Sequence, residues 1–433
     1  MRPFTELLKP YVESRALRST YFFNGRVLSG EDMRREQDAS RLAAKRLGRA
    51  VGAGIAEGLL VSAPTGGASV TAPTVTVQGG LALNGDGVAL ELEDAVDVRL
   101  VRAPTSGNGS AAATSVAGAF ADCHPPARTV YVAGSGVYLL SMVPARTKEG
   151  RTPVAGLGNE SAPCAWKAWA DGVAFRLAQV KLAPEVLADE DHLRNRVAYL
   201  FLRDVEDRVA DPLGLAAAAA PTLDAPLGPA DVPLALVHWT AEAGIRWVDP
   251  WPVRRPIVPP TPLGAWSDLD PARRAAEGAA MVMQFEDHLA AALAARPDGG
   301  FAATSTFRWL PPIGAVPLRA FGGRGVDDAK FLAGVVRRKV PAFLEGAALP
   351  ALFAEALRYP PIDLSPDDAK QRESLWLYWT RENLRAVDVA SHAGAAIPQA
   401  YLLFVNGHVP YRGDARYDLA RFDYASYALG GLD

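Results

Sequence analysis

A chain of 433 residues is longer than one hydrophobic core usually grows, so two or three domains are expected. Hydrophobic residues make up 49% and charged residues 21%, proportions that bury a core and exclude disorder as the main state. The 45 basic and 48 acidic side chains are intermixed, with a net charge of −3, so no basic field exists to draw in nucleic acid and no polybasic tail to hold anionic lipid.

At the N-terminus, "MRPFTELLKPYVESR" lacks the apolar core of a signal peptide, and no window approaches the about 18 uninterrupted apolar residues of a membrane span, so synthesis in the cytoplasm is expected. The stretch "YFFNGRVLSGEDMRREQ" (21–37) then sets the aromatics Tyr21, Phe22 and Phe23 before a corner at Asn24–Gly25, a dipeptide suited to positive φ. Ser29 is placed as the N-cap of a helix with Asp32 three positions on, and Glu31, Asp32 and Glu36 crowd the turns where the helix dipole favours negative charge. Pairs Glu31–Arg35 and Arg34–Asp38 are spaced i,i+4, and Ala43, Leu47, Ala50 and Gly54 form a small-residue stripe that reads as a close-packing face. Gly48, Gly52 and Gly54 end the helix. The aromatics either cover this chain's own core or dock onto a neighbouring subunit.

From about residue 59 the apolar period changes to 2. Val75 and Val77, Leu81 and Leu83, then Val88, Leu90 and Leu92 predict an antiparallel meander, with "NGDG" as turn chemistry rather than a calcium loop. Residues 103–128 are a low-complexity loop, strands resume at "TVYVAGSGVYLLSMV" and "GVAFRLAQVKLA", and 144–170 between them reads as a long excursion. Cys123 and Cys164 match neither a disulfide framework nor a zinc knuckle; two reduced thiols are expected, with a disulfide stapling the insert as the alternative. A second helix begins at 189, where Asp189, Glu190, Asp191 and His192 suit a helix N-terminus better than a metal. After a linker, "DVPLALVHWTAEAGIRWVDPWPVRRP" predicts a hairpin with Leu234, Leu236 and His238 on one face, and a domain boundary is placed near residue 262.

The last third mixes a helix at "DLDPARRAAEGAAMVMQFEDHLAAALAA", a strand and proline-bounded loop at "TSTFRWLPPIGAVPL", a short helix in "VPAFLEGAALPALFAEAL" and paired strands at "ESLWLYWTREN" and "AYLLFVNGHVP". The expected fold is therefore α+β: an N-terminal arm and amphipathic helix (1–58), an antiparallel β-rich domain (59–262) with inserted loops around 103–128 and 144–170 and a helix, and a mixed α/β C-terminal domain (263–433). No zinc-helix, phosphate-loop, nucleophile-elbow or dinucleotide motif is present in the sequence, and the six histidines have no metal-ligand spacing. No catalytic, cofactor-binding or metal-binding residue is therefore assigned. A sugar-handling site would need two facing carboxylates beside an aromatic platform, for which Asp249 near Trp247 and Trp251, or Glu382 near Trp379, are the available candidates.

The segment "YFFNGRVLSGEDMRREQ…LGRAVGAGIAEGLLV" resembles the opening of a family encoded beside contractile injection systems and phage-tail-like particles. Tyr21, Phe22, Gly25, Leu28, Glu31, Asp32, Glu36 and Gln37 carry the likeness, while Asn24 and Val27 depart from the usual spelling. The hairpin "DVPLALVHW…GIRWVDPWPVRRP" and "FRWLPPIGAVP" are also similar to segments of that group. The resemblance implies a structural part of the particle at or around the baseplate, not an enzyme and without cofactor. Its partners would be other particle subunits, as a homo-oligomer within a larger assembly, with no nucleic acid and no membrane insertion. Docking is expected at Tyr21, Phe22, Phe23, Leu28, Ala43, Leu47 and Trp309; the alternative is a carbohydrate-binding or carbohydrate-cleaving accessory protein of such a particle.

Overall fold

The computed structural model describes residues 18–63, 73–102, 130–131, 135–153, 164–202, 222–258, 271–319, 325–335, 338–364 and 375–406. Across them the fold is α+β. Helix α1 (Gly30–Val51) opens on the capping box that its sequence spells: the Asp32 amide donates to Ser29 Oγ and the Ser29 amide to Asp32 Oδ2, both at 3.1 Å. Glu31 accepts from Arg35 at 3.3 Å one turn on, and the helix stops at Gly52, whose φ of +106° few other residues adopt.

Six short strands follow: β1 (Gly54–Gly58), β2 (Val61–Ser62), β3 (Thr74–Val77), β4 (Gly80–Leu83), β5 (Ala89–Leu92) and β6 (Val96–Arg99). They do not form one meander. The chain instead divides them between two antiparallel sheets, ordered β1–β4–β5 and β2–β3–β6. It changes sheet at Gly79, where backbones approach so closely that a Cβ would meet the Glu93 carbonyl oxygen at 2.7 Å. Val75 and Val77 are buried as their alternation predicts, but in β4 the buried residue is Ala82 while Leu81 and Leu83 are half-buried. Because β4 belongs to the other sheet, its buried face is not set by the alternation of β3. The "NGDG" turn is built by Asn84, whose Oδ1 accepts from the amides of Asp86 and Val88 at 3.1 and 2.9 Å. Strands β7 (Val101–Arg102) and β8 (Val130–Tyr131) pair with each other; the loop 103–128, and Cys123 in it, lie outside the described residues.

The main sheet is antiparallel and ordered β10–β9–β11–β12, from β9 (Gly136–Pro153), β10 (Cys164–Gln179), β11 (Val232–Thr240) and β12 (Gly244–Asp249). The expected excursion at 144–170 is corrected here: its described parts are strand, and β9 pairs with β10 in one register from Tyr138↔Gln179 to Pro153↔Cys164. One face of the sheet packs Tyr138, Leu140, Met142, Val237 and Trp239 against Ile55, Leu59, Val75 and Val77 of the small sheets. The other packs Val137, Leu139 and Leu236 against Leu193 and Val197 of a helix that follows the four-residue α2 (Pro184–Leu187), namely α3 (Glu190–Leu202). A bulge between Pro233 and Ala235 sends Leu234 to the face of Val237 and Trp239 instead of joining Leu236.

The boundary expected near residue 262 lies outside the described residues. Beyond it come α4 (Pro271–Ala295), β13 (Trp309–Leu310), β14 (Ile313–Pro317), α5 (Asp328–Phe331), β15 (Ala342–Leu344), α6 (Leu349–Ala356), β16 (Ile362–Asp363), β17 (Leu375–Thr380), α7 (Arg381–Ala393) and β18 (Tyr401–Asn406). The second four-stranded sheet runs β14–β18–β17–β15, with only β15 parallel to its neighbour. Its core is aromatic: Phe285 of α4 meets Phe307 at 5.2 Å and Phe404 edge-on at 5.4 Å between ring centroids.

Candidate functional site

The lead-in to α1 is fastened to the helix by its backbone and presents its rings outward. The Thr20 amide donates to Glu36 at 3.0 Å, Thr20 Oγ1 donates to the Asp32 carbonyl at 2.9 Å, and Arg26 bridges the Tyr21 carbonyl (2.7 Å) and Asp32 Oδ1 (2.6 Å). Hydrogen bonds from Ser29, then the Arg26 guanidinium, hold the Asp32 carboxyl below the usual carboxylate range. With polar atoms thus engaged inward, Tyr21 is 79% exposed, and Phe22, Phe23 and Leu28 are exposed as well. Val27 beside them is also exposed.

Along α1 only Gly48 is buried. It crosses Gly87 so tightly that a Cβ on Gly48 would lie 2.2 Å from the Gly87 carbonyl oxygen, and one on Gly87 would lie 2.1 Å from that of Lys45. The predicted close-packing stripe is therefore displaced by one residue: Ala43 is half-buried, Leu47 is 70% exposed and Ala50 is exposed. Met33, Leu42 and Val51 add to the exposed apolar surface of the helix. Gly48→Val is expected to unseat α1, raising exchange of its amides on the order of tenfold while those of α4 keep their protection. Unchanged exchange along α1 would show that the glycine crossing does not seat the helix.

Trp309, expected at the docking surface, is nearly buried and borders the cleft between α3 and β13. It is 9% exposed and stacks on Tyr199 at 6.1 Å, and Asn195 brackets its backbone, accepting from the Trp309 amide at 2.8 Å and donating to its carbonyl at 3.0 Å. A tryptophan in a two-residue strand carries no periodicity, so its sequence context could not tell interior from surface.

The carboxylates considered for sugar chemistry do not face a cleft. Asp249 is fully buried, accepting from Arg194 Nε at 2.9 Å and Gln284 Nε2 at 3.1 Å, and burial raises its pKa despite the guanidinium. Trp251 donates instead to Asp287. Glu382 accepts from the Gly346 amide at 2.7 Å, and Trp379 packs at the margin of the C-terminal core. A cleft of about 680 Å³ does open between α3 and β13, bordered by Asp189, His192, Arg196, Thr304 and Arg308. Its polar side chains already have partners: His192 lies 2.8 Å from Asp189 and 2.9 Å from the Thr304 carbonyl, Arg196 3.0 Å from Asp189, and Arg308 3.2 Å from Asp363. Desolvation opposes ionisation of Asp189, but its bonds from His192 and Arg196 prevail and lower its pKa. Among the described residues, no three His, Cys, Asp or Glu side chains stand where they would share a metal ion.

A second exposed surface was not legible in the sequence. Beyond Met142, β9 pairs only with β10 among the described residues, so residues 143–153 and 164–174 form a two-stranded ribbon leaving the sheet. Trp166 and Trp169 on it are 47% and 54% exposed. Arg151 lies 3.9 Å from the Trp166 ring centroid, and Arg146 and Lys148 lie 4.5 and 5.2 Å from that of Trp169. The signal that was available is the cross-strand spacing of cation and indole, which only the pairing register turns into contact.

No protein-family model matches this chain, and no curated protein matches it significantly in sequence. No helix among the described residues is long and apolar enough to cross a membrane.

Proposed function

We propose that the chain is a structural assembly component of a contractile injection system or phage-tail-like particle, at or around the baseplate, that binds neighbouring subunits through its lead-in and α1. The observation that carries this reading is a 22-residue helix with one buried residue, Gly48. Helices of this length draw most of their stability from packing an apolar face, and this one leaves Leu28 at its entry and Met33, Leu42, Leu47 and Val51 along its length in solvent. A neighbouring subunit that covers them supplies the missing packing, and repetition around a ring lets modest contacts suffice. The resemblance of residues 21–37 to the particle-associated family supports the setting. In this reading the protein is synthesised in the cytoplasm, works without a cofactor and catalyses nothing.

The test compares the full chain with the variant Tyr21→Ser, Phe22→Ser, Phe23→Ser, Leu47→Asp in the producing cell. Because these side chains are exposed, the melting transition of the isolated variant should match the parent. The parent should sediment with a high-mass particle and the variant should remain in the supernatant. Equal sedimentation of both, or a parent found only as a free monomer, would refute the reading.

A further inference from the structure

We infer that the outer ribbon of β9 and β10 is a second docking element, which enters an acid-lined groove of a neighbouring protein subunit closing on both of its faces. The inference rests on the assembly reading above and names a further contact within it. At about 3.3 Å per residue, residues 143–153 reach roughly 33 Å from the point where β11 stops pairing. A lone two-stranded ribbon is marginal in water, and this one leaves both edges without a strand partner among the described residues, because β10 is already the edge of the sheet. A groove that offers backbone to those edges completes it.

The side chains say what kind of groove. Trp166 stands opposite Arg151 and Trp169 opposite Lys148, and an odd spacing of three residues along a strand puts the two indoles on opposite faces. Ala168, Ala170, Gly172 and Ala145 keep the Trp166 face thin beside its indole, while the Trp169 face carries Lys167, Lys148 and Arg146. Tryptophan and arginine are the residues on which interface energy concentrates. The cations Arg146, Lys148, Arg151 and Lys167 outnumber the anions Glu149 and Asp171, and Asp171 is already paired with Arg146 at 3.0 Å. A guanidinium stacked on an indole keeps its in-plane N–H donors for a carboxylate, so the complementary surface is acidic.

The same geometry disfavours other occupants. Two indoles on opposite faces cannot both lie in the interface of one bilayer. The guanidinium groups at 3.9 and 4.5 Å each occupy a face of an indole, where a sugar ring would have to displace them.

The experiment places a benzophenone photo-crosslinker in the full chain, in its producing cell, at Ala168 on the Trp166 face, at Lys167 on the Trp169 face, and at Leu47 on α1 as a reporter of assembly. Both ribbon positions should crosslink to one and the same other protein, through peptides rich in Asp and Glu. Arg146→Glu with Arg151→Glu should lower those yields at least about tenfold and leave the Leu47 product intact, whereas Arg146→Lys with Arg151→Lys, which keeps the charge, should retain most of the yield. Products with lipid, with another copy of this chain, from only one ribbon position, or from neither while Leu47 still crosslinks, would overturn the ribbon inference and leave the assembly reading standing. Loss of the Leu47 product from the unsubstituted protein would remove the assembly reading itself, and the ribbon inference with it.

Discussion

Replacing Asp249 with alanine should lower the unfolding free energy by about 3–5 kcal/mol, the cost of leaving a buried cation without its partner. Asp249 sits at the end of β12 and receives Arg194 from α3 and Gln284 from α4, so one carboxylate ties the main sheet to two helices from different parts of the chain. Arg194 is itself nearly buried, with 10% side-chain exposure, so most of its charge would be left uncompensated once the carboxylate is gone. Asp249→Asn keeps the shape and one acceptor oxygen and should cost less, about 1–3 kcal/mol. Urea midpoints of the two variants and the parent, compared at equal slope, measure both effects. An alanine variant as stable as the parent would mean that this ion pair does not hold the three elements together.

The second large effect is acid destabilisation set by His288. Burial, then the neighbouring charges of Arg194 and His192, pushes its pKa down from 6.5 to about 3, while its ring packs edge-on at 4.8 Å from that of Phe307. Between those two values the unfolded chain takes up a proton that the folded chain refuses. The contribution of His288 is therefore fully present above pH 6.5 and is lost as pH falls toward 3, by about 5 kcal/mol in total on the scale of about 1.4 kcal/mol per pH unit. Asp249 acts with the opposite sign: its raised pKa favours the folded state most at low pH, and that contribution fades as pH rises from 3.8 through the raised value. His238, whose pKa burial lowers, Asp32, whose bonds from Ser29 lower its own, and Asp189, where desolvation is outweighed by the bonds from His192 and Arg196, act in the same direction as His288 and work against the Asp249 contribution. Urea midpoints recorded from pH 3 to 8 should fall steeply toward acid in the parent and much less in His288→Leu. Parallel curves for the two would rule out His288 as the source.

Much of α1 was legible because helix signals are local. The capping box, the Glu31–Arg35 pair and the stop at Gly52 all lie within a few residues of what they act on. So was the pairing of β17 with β18, whose apolar runs exceed any competing signal. The ribbon was missed because "PARTKEGRTP" lacks the apolar alternation that marks a half-buried strand, and a strand with both faces in solvent has no reason to show it. Leu47 and Ala43 were placed on a packing face that the structure moves to Gly48, because the contact is made by the absence of a side chain on Gly48 and Gly87.

By itself the sequence determined the α+β class, the lead-in corner, the limits of α1 and the aromatic residues at its entry, all properties of short stretches acting on their own backbone. Only the tertiary structure decided that Trp309 lies inside against Tyr199, that Asp249 meets Arg194 across 55 residues, that the first strands split into two sheets and that Trp166 and Trp169 stand on a ribbon in solvent. Burial and pairing depend on which distant segments arrive at a residue, and no local period encodes that arrival.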